Sequence, residues 1–101
     1  ELTTIKANKQ PIGKFDLHEP YTTHRIELKK GDTLYLFSDG YIDQFGGEKG
    51  KKLKTSGFKD LLLNIQSKVM KEQYKIIKDN FYEWKGNIEQ IDDICIMGIK
   101  F

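Results

Sequence analysis

Three aspartates stand where a protein could hold a hard metal ion. Asp39 follows the apolar, β-prone run Thr33–Phe37 after one serine, and Asp92 and Asp93 directly precede a second apolar run. If the two runs form neighbouring antiparallel strands, the end of one lies beside the beginning of the other. Asp39 and Asp92 would then meet at one edge of a sheet although they are far apart in the sequence.

Carboxylates that meet in this way repel each other unless one is protonated or a cation lies between them. Oxygen ligands without an accompanying Cys or His favour Mg²⁺ or Mn²⁺ over Zn²⁺. The alternative is that these aspartates are ordinary turn and surface residues that bind no metal. Asp-Gly at positions 39 and 40 is a common turn dipeptide, and acidic residues before a strand are commonly solvated. Residue types and spacing alone leave both open.

The other reactive side chains indicate no site. His18 and His24 are isolated, and no motif places a Ser or Cys nucleophile, so both histidines are expected to be surface or structural residues. Cys95 lies in an apolar run and is expected to be a small buried hydrophobe. Residues 49–54 form a lysine-rich run broken by glycine, which is typical of a solvated loop; a phosphate-binding patch is the alternative.

Composition sets the class of protein. The 101 residues are 38% hydrophobic, 12% aromatic and 32% charged, which fits one globular unit. A net charge of +2 is too small to produce the strong positive field that is typical of a nucleic-acid-binding protein. The chain has no 18-residue apolar window, so no membrane segment is expected. A single cysteine cannot form an internal disulfide, which favours a cytoplasmic location.

Period-two and β-branched patterns predict the strands. A first strand is expected over residues 2–7, followed by a turn at 8–14. Residues 24–28 and Thr33–Phe37 are expected to pair as a hairpin around a turn at 29–32. Thr33–Phe37 is a continuous apolar run, typical of a central strand covered on both faces. Residues 94–101 predict a last buried strand.

Apolar residues at helical spacing predict two helices between the last two strands. The first begins with Ser56 as N-cap, and the second ends at Gly86. Their apolar stripes consist of Phe58, Leu61, Leu62 and Ile65 in the first helix, and of Met70, Tyr74, Ile77, Phe81 and Trp84 in the second. The expected fold is α+β, with helices packed on antiparallel sheets. Two helices cover only one face, so another copy or a missing portion must supply the second cover.

Two motifs resemble a known family. The sequence GDTLYLFSDGYIDQFGG at residues 31–47 is similar to the late Asp-Gly motif of the metal-dependent serine/threonine protein phosphatases, which are protein phosphatase 2C-like. It is most similar to their SpoIIE-like branch. The sequence QIDDICIMGI at residues 90–99 resembles the closing strand of the same family, and the two motifs occur in the family's order with helices between them.

The resemblance implies an α-β-β-α sandwich with a two-metal Mn²⁺ or Mg²⁺ centre, where a metal-activated water hydrolyses phosphoserine or phosphothreonine. On matching positions, Asp39 and Asp92 are ligands of one metal, and no side chain is assigned as catalytic. Asp93 is expected to orient the neighbouring ligand, and Gly40 to keep the backbone close to the site.

The resemblance covers only the C-terminal half of the family's domain. No acidic residue within positions 1–38 is followed by glycine, so the early Asp-Gly motif is missing. Residues 1–101 are therefore expected to be an incomplete phosphatase domain, inactive alone, that pairs as a homodimer or by domain swapping. The implied substrate is a phosphoprotein, such as an anti-anti-sigma-type regulator. The alternative is a non-catalytic interaction domain that retains the scaffold.

Overall fold

A computed structural model describes residues 2–6, 20 and 22–101 of the chain. The described part contains four strands and two helices, which confirms the α+β class. In chain order they are β1 (Thr33–Phe37), β2 (Phe45–Gly46), β3 (Lys51–Lys52), α1 (Lys54–Ile65), α2 (Met70–Lys85) and β4 (Ile96–Lys100).

The main sheet joins β1 to β4. The strands are antiparallel, and their register runs from Thr33 opposite Lys100 to Phe37 opposite Ile96. Both sequences are rich in the aromatic and β-branched residues that suit a pleated sheet. The pairing of the two apolar runs, on which the candidate site depends, is therefore confirmed. A second sheet is a short antiparallel hairpin of β2 and β3.

The two N-terminal strand predictions are wrong. Residues 2–6 and 22–29 contain no strand, so residues 24–28 do not form a hairpin with β1. The turn between them exists, since the Lys29 N–H donates to the Asp32 carboxylate at 2.9 Å. After this turn, however, β1 pairs with the distant and more apolar β4. Residues 7–14 and His18 lie outside the described residues.

Helix α1 carries the predicted apolar stripe but starts earlier than predicted. Phe58, Leu62 and Ile65 are buried. The helix begins at Lys54, so Ser56 lies in the first turn and is not the N-cap. The physical reason is that the hairpin runs directly into the helix, with Lys54 at a positive φ of 70°. The turn at the helix entrance is therefore made by the backbone of Lys54.

Helix α2 ends at Gly86 as predicted, where a φ of 54° lets the Gly86 N–H reach the Tyr82 carbonyl at 3.0 Å. Its predicted stripe is wrong at Tyr74, which is 67% exposed. Gln73 is buried instead, because its amide accepts a hydrogen bond from the Tyr35 hydroxyl and donates one to the Lys68 carbonyl. A polar residue of α2 therefore faces the sheet.

The core lies between the two helices and one face of the β1–β4 sheet. The Tyr41 ring lies 5.2 Å from the Phe58 ring and 5.3 Å from the Phe81 ring. The Phe37 ring meets Phe58 edge-on at 4.8 Å. Tilted and edge-on aromatic pairs at these distances stabilise a core beyond simple burial. Tyr41, from the turn after β1, therefore forms part of the core.

The opposite face of the β1–β4 sheet is uncovered in the described part of the chain. Leu36, Met97 and Ile99 are 54%, 53% and 38% exposed. Both helices pack on the same side of the sheet, in agreement with the expectation that they cover only one face, and the cover of the second face stays a prediction. In the described residues, neither helix is long and apolar enough to cross a membrane.

Candidate metal centre

Backbone pairing continues past the end of β1 and brings the two aspartate segments side by side. The Ser38 N–H donates to the Cys95 carbonyl at 2.9 Å, and the Cys95 N–H donates to the Ser38 hydroxyl at 3.0 Å. The same hydroxyl lies 3.3 Å from the Asp93 carbonyl oxygen. Asp39, the next residue after Ser38, is therefore held beside the segment that carries Asp92 and Asp93.

Gly40 lies against the backbone of Asp93. It is buried, and a β-carbon at this position would lie 2.1 Å from the Asp93 carbonyl oxygen. No side chain fits at that distance, and the obstacle is a backbone atom that cannot rotate away. Asp39 thus stands between two residues, Ser38 and Gly40, that both touch Asp93. The close backbone approach expected for Gly40 is present; its part in metal binding stays a prediction.

The three carboxylates face solvent and have no cationic partner among the residues that the structure describes. Asp39, Asp92 and Asp93 are exposed. The one ion pair among the described residues joins Lys52 to Asp43, with the Lys52 Nζ 3.7 Å from a carboxylate oxygen, so it involves none of the three. One contact organises the segment itself: the Asp93 N–H donates to a carboxylate oxygen of Asp92 at 2.8 Å.

These residues fit part of a hard-metal site. Exposed carboxylates without a cationic partner are the donors that Mg²⁺ and Mn²⁺ take. Within the part of the chain that the structure describes, however, no group of three or more His, Cys, Asp or Glu side chains could hold a metal. The arrangement can contribute ligands to a metal centre, and a complete coordination sphere needs further ones.

The turn after Asp39 is fixed by a buried tyrosine. The Tyr41 hydroxyl donates to the Ile77 carbonyl at 2.9 Å and accepts from the Asn80 amide at 3.1 Å. Burial raises the pKa of the Tyr41 hydroxyl above its ordinary value, and the Asn80 hydrogen bond offsets part of that rise. The hydroxyl therefore stays protonated at neutral pH and continues to donate to α2.

Gln44 ties both segments together. Its side chain is fully buried, and its amide nitrogen donates to the Phe45 and Glu89 carbonyls, both at 3.0 Å. Its backbone carbonyl accepts from the Trp84 indole at 3.0 Å. Gln44 thus links the loop after Asp39 to the end of α2 and to the segment before Asp92. Trp84, predicted to be a core residue, is half-buried and serves this junction.

Tyr41 and Gln44 support the site but are not predicted from the sequence. The available signal was weak: an aromatic and an amide residue three positions apart, the spacing at which residues share one side of a helical turn. That spacing does not identify the carbonyls of Ile77 and Glu89 as their partners. Only the packed fold brings those carbonyls within reach.

Three further predictions have clear outcomes. Cys95 is exposed, so the buried interpretation is wrong; it alternates with Met97 and Ile99, which share the uncovered face of the sheet. His24 is exposed, in agreement with a surface residue. Residues 49–54 are not simply a loop, since β3 and the start of α1 lie within them.

The geometry of the two motifs agrees with comparisons to known proteins. Residues 1–101 match the family model described as Stage II sporulation protein E (SpoIIE). The chain belongs to the SpoIIE family. No curated protein sequence matches it.

Among solved structures, this SpoIIE chain is similar to the SiaA-PP2C domain of Pseudomonas aeruginosa. The sequences are 32% identical and the TM-score is 0.77. The match covers 82% of this chain and 34% of that one, so the SpoIIE chain spans about a third of its structural relative. The similarity confirms a PP2C-like fold and places the chain in a family of phosphatases.

Proposed function

We propose that this SpoIIE chain is the C-terminal part of a Mn²⁺- or Mg²⁺-dependent protein serine/threonine phosphatase. The observation that carries the proposal is the continued backbone pairing from Phe37 through Ser38 to Cys95, which sets Asp39 beside the Asp92–Asp93 segment. Family membership supports phosphatase chemistry in general. The matched residues 1–101 include both aspartate segments.

In this proposal, Asp39 and Asp92 are ligands of one metal ion. The metal pair, when bound, supplies Lewis-acid activation of the water that hydrolyses a phosphate monoester. The Asp93 N–H, bonded to the Asp92 carboxylate at 2.8 Å, orients that ligand. Gly40 keeps the Asp39 backbone against Asp93. The two proposed ligands are exposed to solvent, and the two supporting groups, the Asp93 N–H and Gly40, are held in place by the fold.

The chain alone is proposed to be inactive, since its carboxylates form only part of a coordination sphere. The remaining ligands would come from a longer chain of the length seen in the SiaA-PP2C match. The proposed substrate is a cytoplasmic protein phosphorylated on serine or threonine, of the anti-anti-sigma regulator type. An extended phosphoprotein segment suits a site at the open end of two strands.

A non-catalytic interaction domain is the second candidate. The exposed apolar face of Leu36, Met97 and Ile99 favours it, because apolar patches of this kind mark interaction surfaces. A homodimer or a domain swap would bury this face and the free edges of the sheet.

Hydrolysis of p-nitrophenyl phosphate with and without Mn²⁺ separates the candidates. We expect activity from a chain extended upstream to a full domain and none from residues 1–101. Asp39→Asn and Asp92→Asn in the longer chain should each lower Mn²⁺ affinity and hydrolysis together, whereas the exposed Asp60→Asn on α1 should change neither. Full activity in both site variants would remove these residues from the ligand set, whereas absence of Mn²⁺-dependent hydrolysis in the longer chain itself would favour the interaction domain.

A further inference from the structure

We propose that the lysine-rich hairpin at residues 45–54, here called the basic hairpin, binds an acidic segment of the phosphoprotein substrate beside its phosphorylated residue. The inference rests on the proposed phosphatase function and adds a substrate class to it. It uses no residue of the candidate metal centre. Its test is a binding measurement that does not depend on hydrolysis.

The basic hairpin concentrates the positive charge of the chain. Residues 48–54 hold four lysines and one glutamate, so this short segment carries more net positive charge than the +2 of the whole chain. All four lysines are exposed. Only Lys52 has a carboxylate partner among the described residues, Asp43 at 3.7 Å, and its Nζ also lies 5.7 Å from the centre of the Phe45 ring. The three lysines without a carboxylate partner among the described residues are Lys49, Lys51 and Lys54.

The hairpin presents these charges on an ordered backbone. Phe45 pairs with Lys52 and Gly46 with Lys51. The Gly47 N–H donates to the Trp84 carbonyl at 2.9 Å, which fixes the hairpin to the end of α2. Because the backbone is already ordered, binding a partner requires less loss of conformational entropy than it would in a mobile loop. This order distinguishes the basic hairpin from an ordinary solvated lysine run.

The hairpin is also attached to the turn that carries Asp39. The Lys54 N–H donates to the Ile42 carbonyl at 2.8 Å, and the Asp43 N–H donates to the Asp39 carbonyl at 2.9 Å. Ile42 is three positions after Asp39, which limits their Cα atoms to about 10 Å apart even in an extended chain. A peptide whose phosphate reaches Asp39 therefore places its neighbouring residues within range of the hairpin.

Lys54 adds a second, independent indication. Its φ of 70° lies in the left-handed region, which glycine adopts at lower energy than lysine. A long cationic side chain nevertheless stands at this position, at the junction closest to the Asp39 turn. Backbone outliers of this kind are concentrated at functional positions.

Exposed lysines act mainly through long-range attraction, which raises association rates and falls with ionic strength. The acidic side chains of a substrate would meet the hairpin while the phosphate itself occupies the carboxylate end of the sheet. The predicted preference is thus for glutamate or aspartate a few residues from the phosphoserine. A generic aryl phosphate carries no such residues, so its hydrolysis should not depend on the lysines of the basic hairpin.

Fluorescence anisotropy with labelled phosphoserine peptides tests the proposal on the chain extended upstream to a full domain, with Mn²⁺ present and binding read before hydrolysis proceeds, because residues 1–101 hold only part of the site that receives the phosphate. One peptide carries glutamates around the phosphoserine, and its matched partner carries glutamines. We expect the glutamate peptide to bind more tightly, and raising NaCl from about 50 to about 300 mM to remove most of the difference. Lys49→Glu with Lys51→Glu should weaken its binding about tenfold.

The control is the same charge change elsewhere. Lys71→Glu with Lys75→Glu alters two exposed lysines on α2 and should leave binding within about twofold. Circular dichroism of both double variants checks that they fold. Equal weakening by the two variants, or equal binding of the two peptides, would overturn the proposal. Tighter binding of single-stranded DNA than of the glutamate peptide would also overturn it, in favour of a general polyanion site.

These outcomes are distinguishable from failure of the phosphatase function. If Asp39→Asn abolishes hydrolysis in the longer chain while the hairpin variants bind normally, only the hairpin proposal fails. If the hairpin variants lose acidic-peptide binding while Mn²⁺-dependent hydrolysis is never seen, the basic hairpin serves the interaction-domain alternative, and the substrate assignment is overturned.

Discussion

The two segments that meet at the candidate metal centre are built in opposite ways. Residues 39–47 include four buried residues in the packed fold, Gly40, Tyr41, Gln44 and Gly46. Residues 89–93 are all exposed and are held through backbone groups, such as the Glu89 and Asp93 carbonyls. The first segment is therefore fixed by packing, and the second mainly exposes its carboxylates to solvent.

The largest effect should come from removing the close contact between the segments. Gly40→Ala would place a β-carbon 2.1 Å from the Asp93 carbonyl oxygen, so we expect a loss of at least about 3 kcal/mol in unfolding free energy. Urea unfolding measures it. The control is Gly50→Ala, which meets no atom within 4 Å and should lose only about 1 kcal/mol through its positive φ. Equal losses would mean that the segments can separate freely.

A smaller effect should come from the junction at Gln44. Gln44→Leu removes two donated hydrogen bonds and leaves the Phe45 and Glu89 carbonyls to find other donors, which should cost about 2 kcal/mol of stability. Gln66→Leu, at an exposed position after α1, should stay within about 0.5 kcal/mol of the parent. Chemical denaturation compares the two, and a Gln44 variant as stable as the Gln66 control would refute the tie between the segments.

The smallest effect on folding should come from the exposed segment. Asp92→Asn removes an exposed carboxylate and should change stability by no more than about 0.5 kcal/mol without metal. In the longer chain it should nevertheless weaken Mn²⁺ binding, measured directly from the electron paramagnetic resonance of free Mn²⁺. A large loss of stability without metal would show that Asp92 helps to hold the fold, which would remove the contrast between the segments.

The sequence predicted the elements whose signals are local and periodic. The apolar runs of β1 and β4 and the stripe of Phe58, Leu62 and Ile65 follow directly from residue spacing. Their antiparallel pairing also places Asp39 next to the Asp92 segment, since the end of one strand lies beside the beginning of its antiparallel neighbour. Residues 24–28 show the alternation of a strand, but β1 pairs with β4 and not with them. Which of two segments pairs with β1 depends on the packing of the whole fold, and local alternation does not report it.

The sequence could not predict which polar side chains are buried. Gln73 and Gln44 are buried because particular carbonyl and hydroxyl groups lie within hydrogen-bond distance, and one partner of each is far along the chain: the Tyr35 hydroxyl is 38 positions from Gln73, and the Glu89 carbonyl is 45 positions from Gln44. Cys95 is exposed for a related reason: its side of the sheet lacks a covering layer in the described residues. Apolarity indicates which residues can be buried, whereas the presence of a covering layer decides which of them are.

The position of Cys95 has a practical consequence. It is the only thiol in the chain, it is exposed, and its backbone is hydrogen-bonded to Ser38, the residue before Asp39. A maleimide dye would therefore attach at one place, next to both aspartate segments and on the uncovered sheet face. Paramagnetic quenching of that dye would report Mn²⁺ arrival, and a change in its emission colour would report the docking of whatever covers the face.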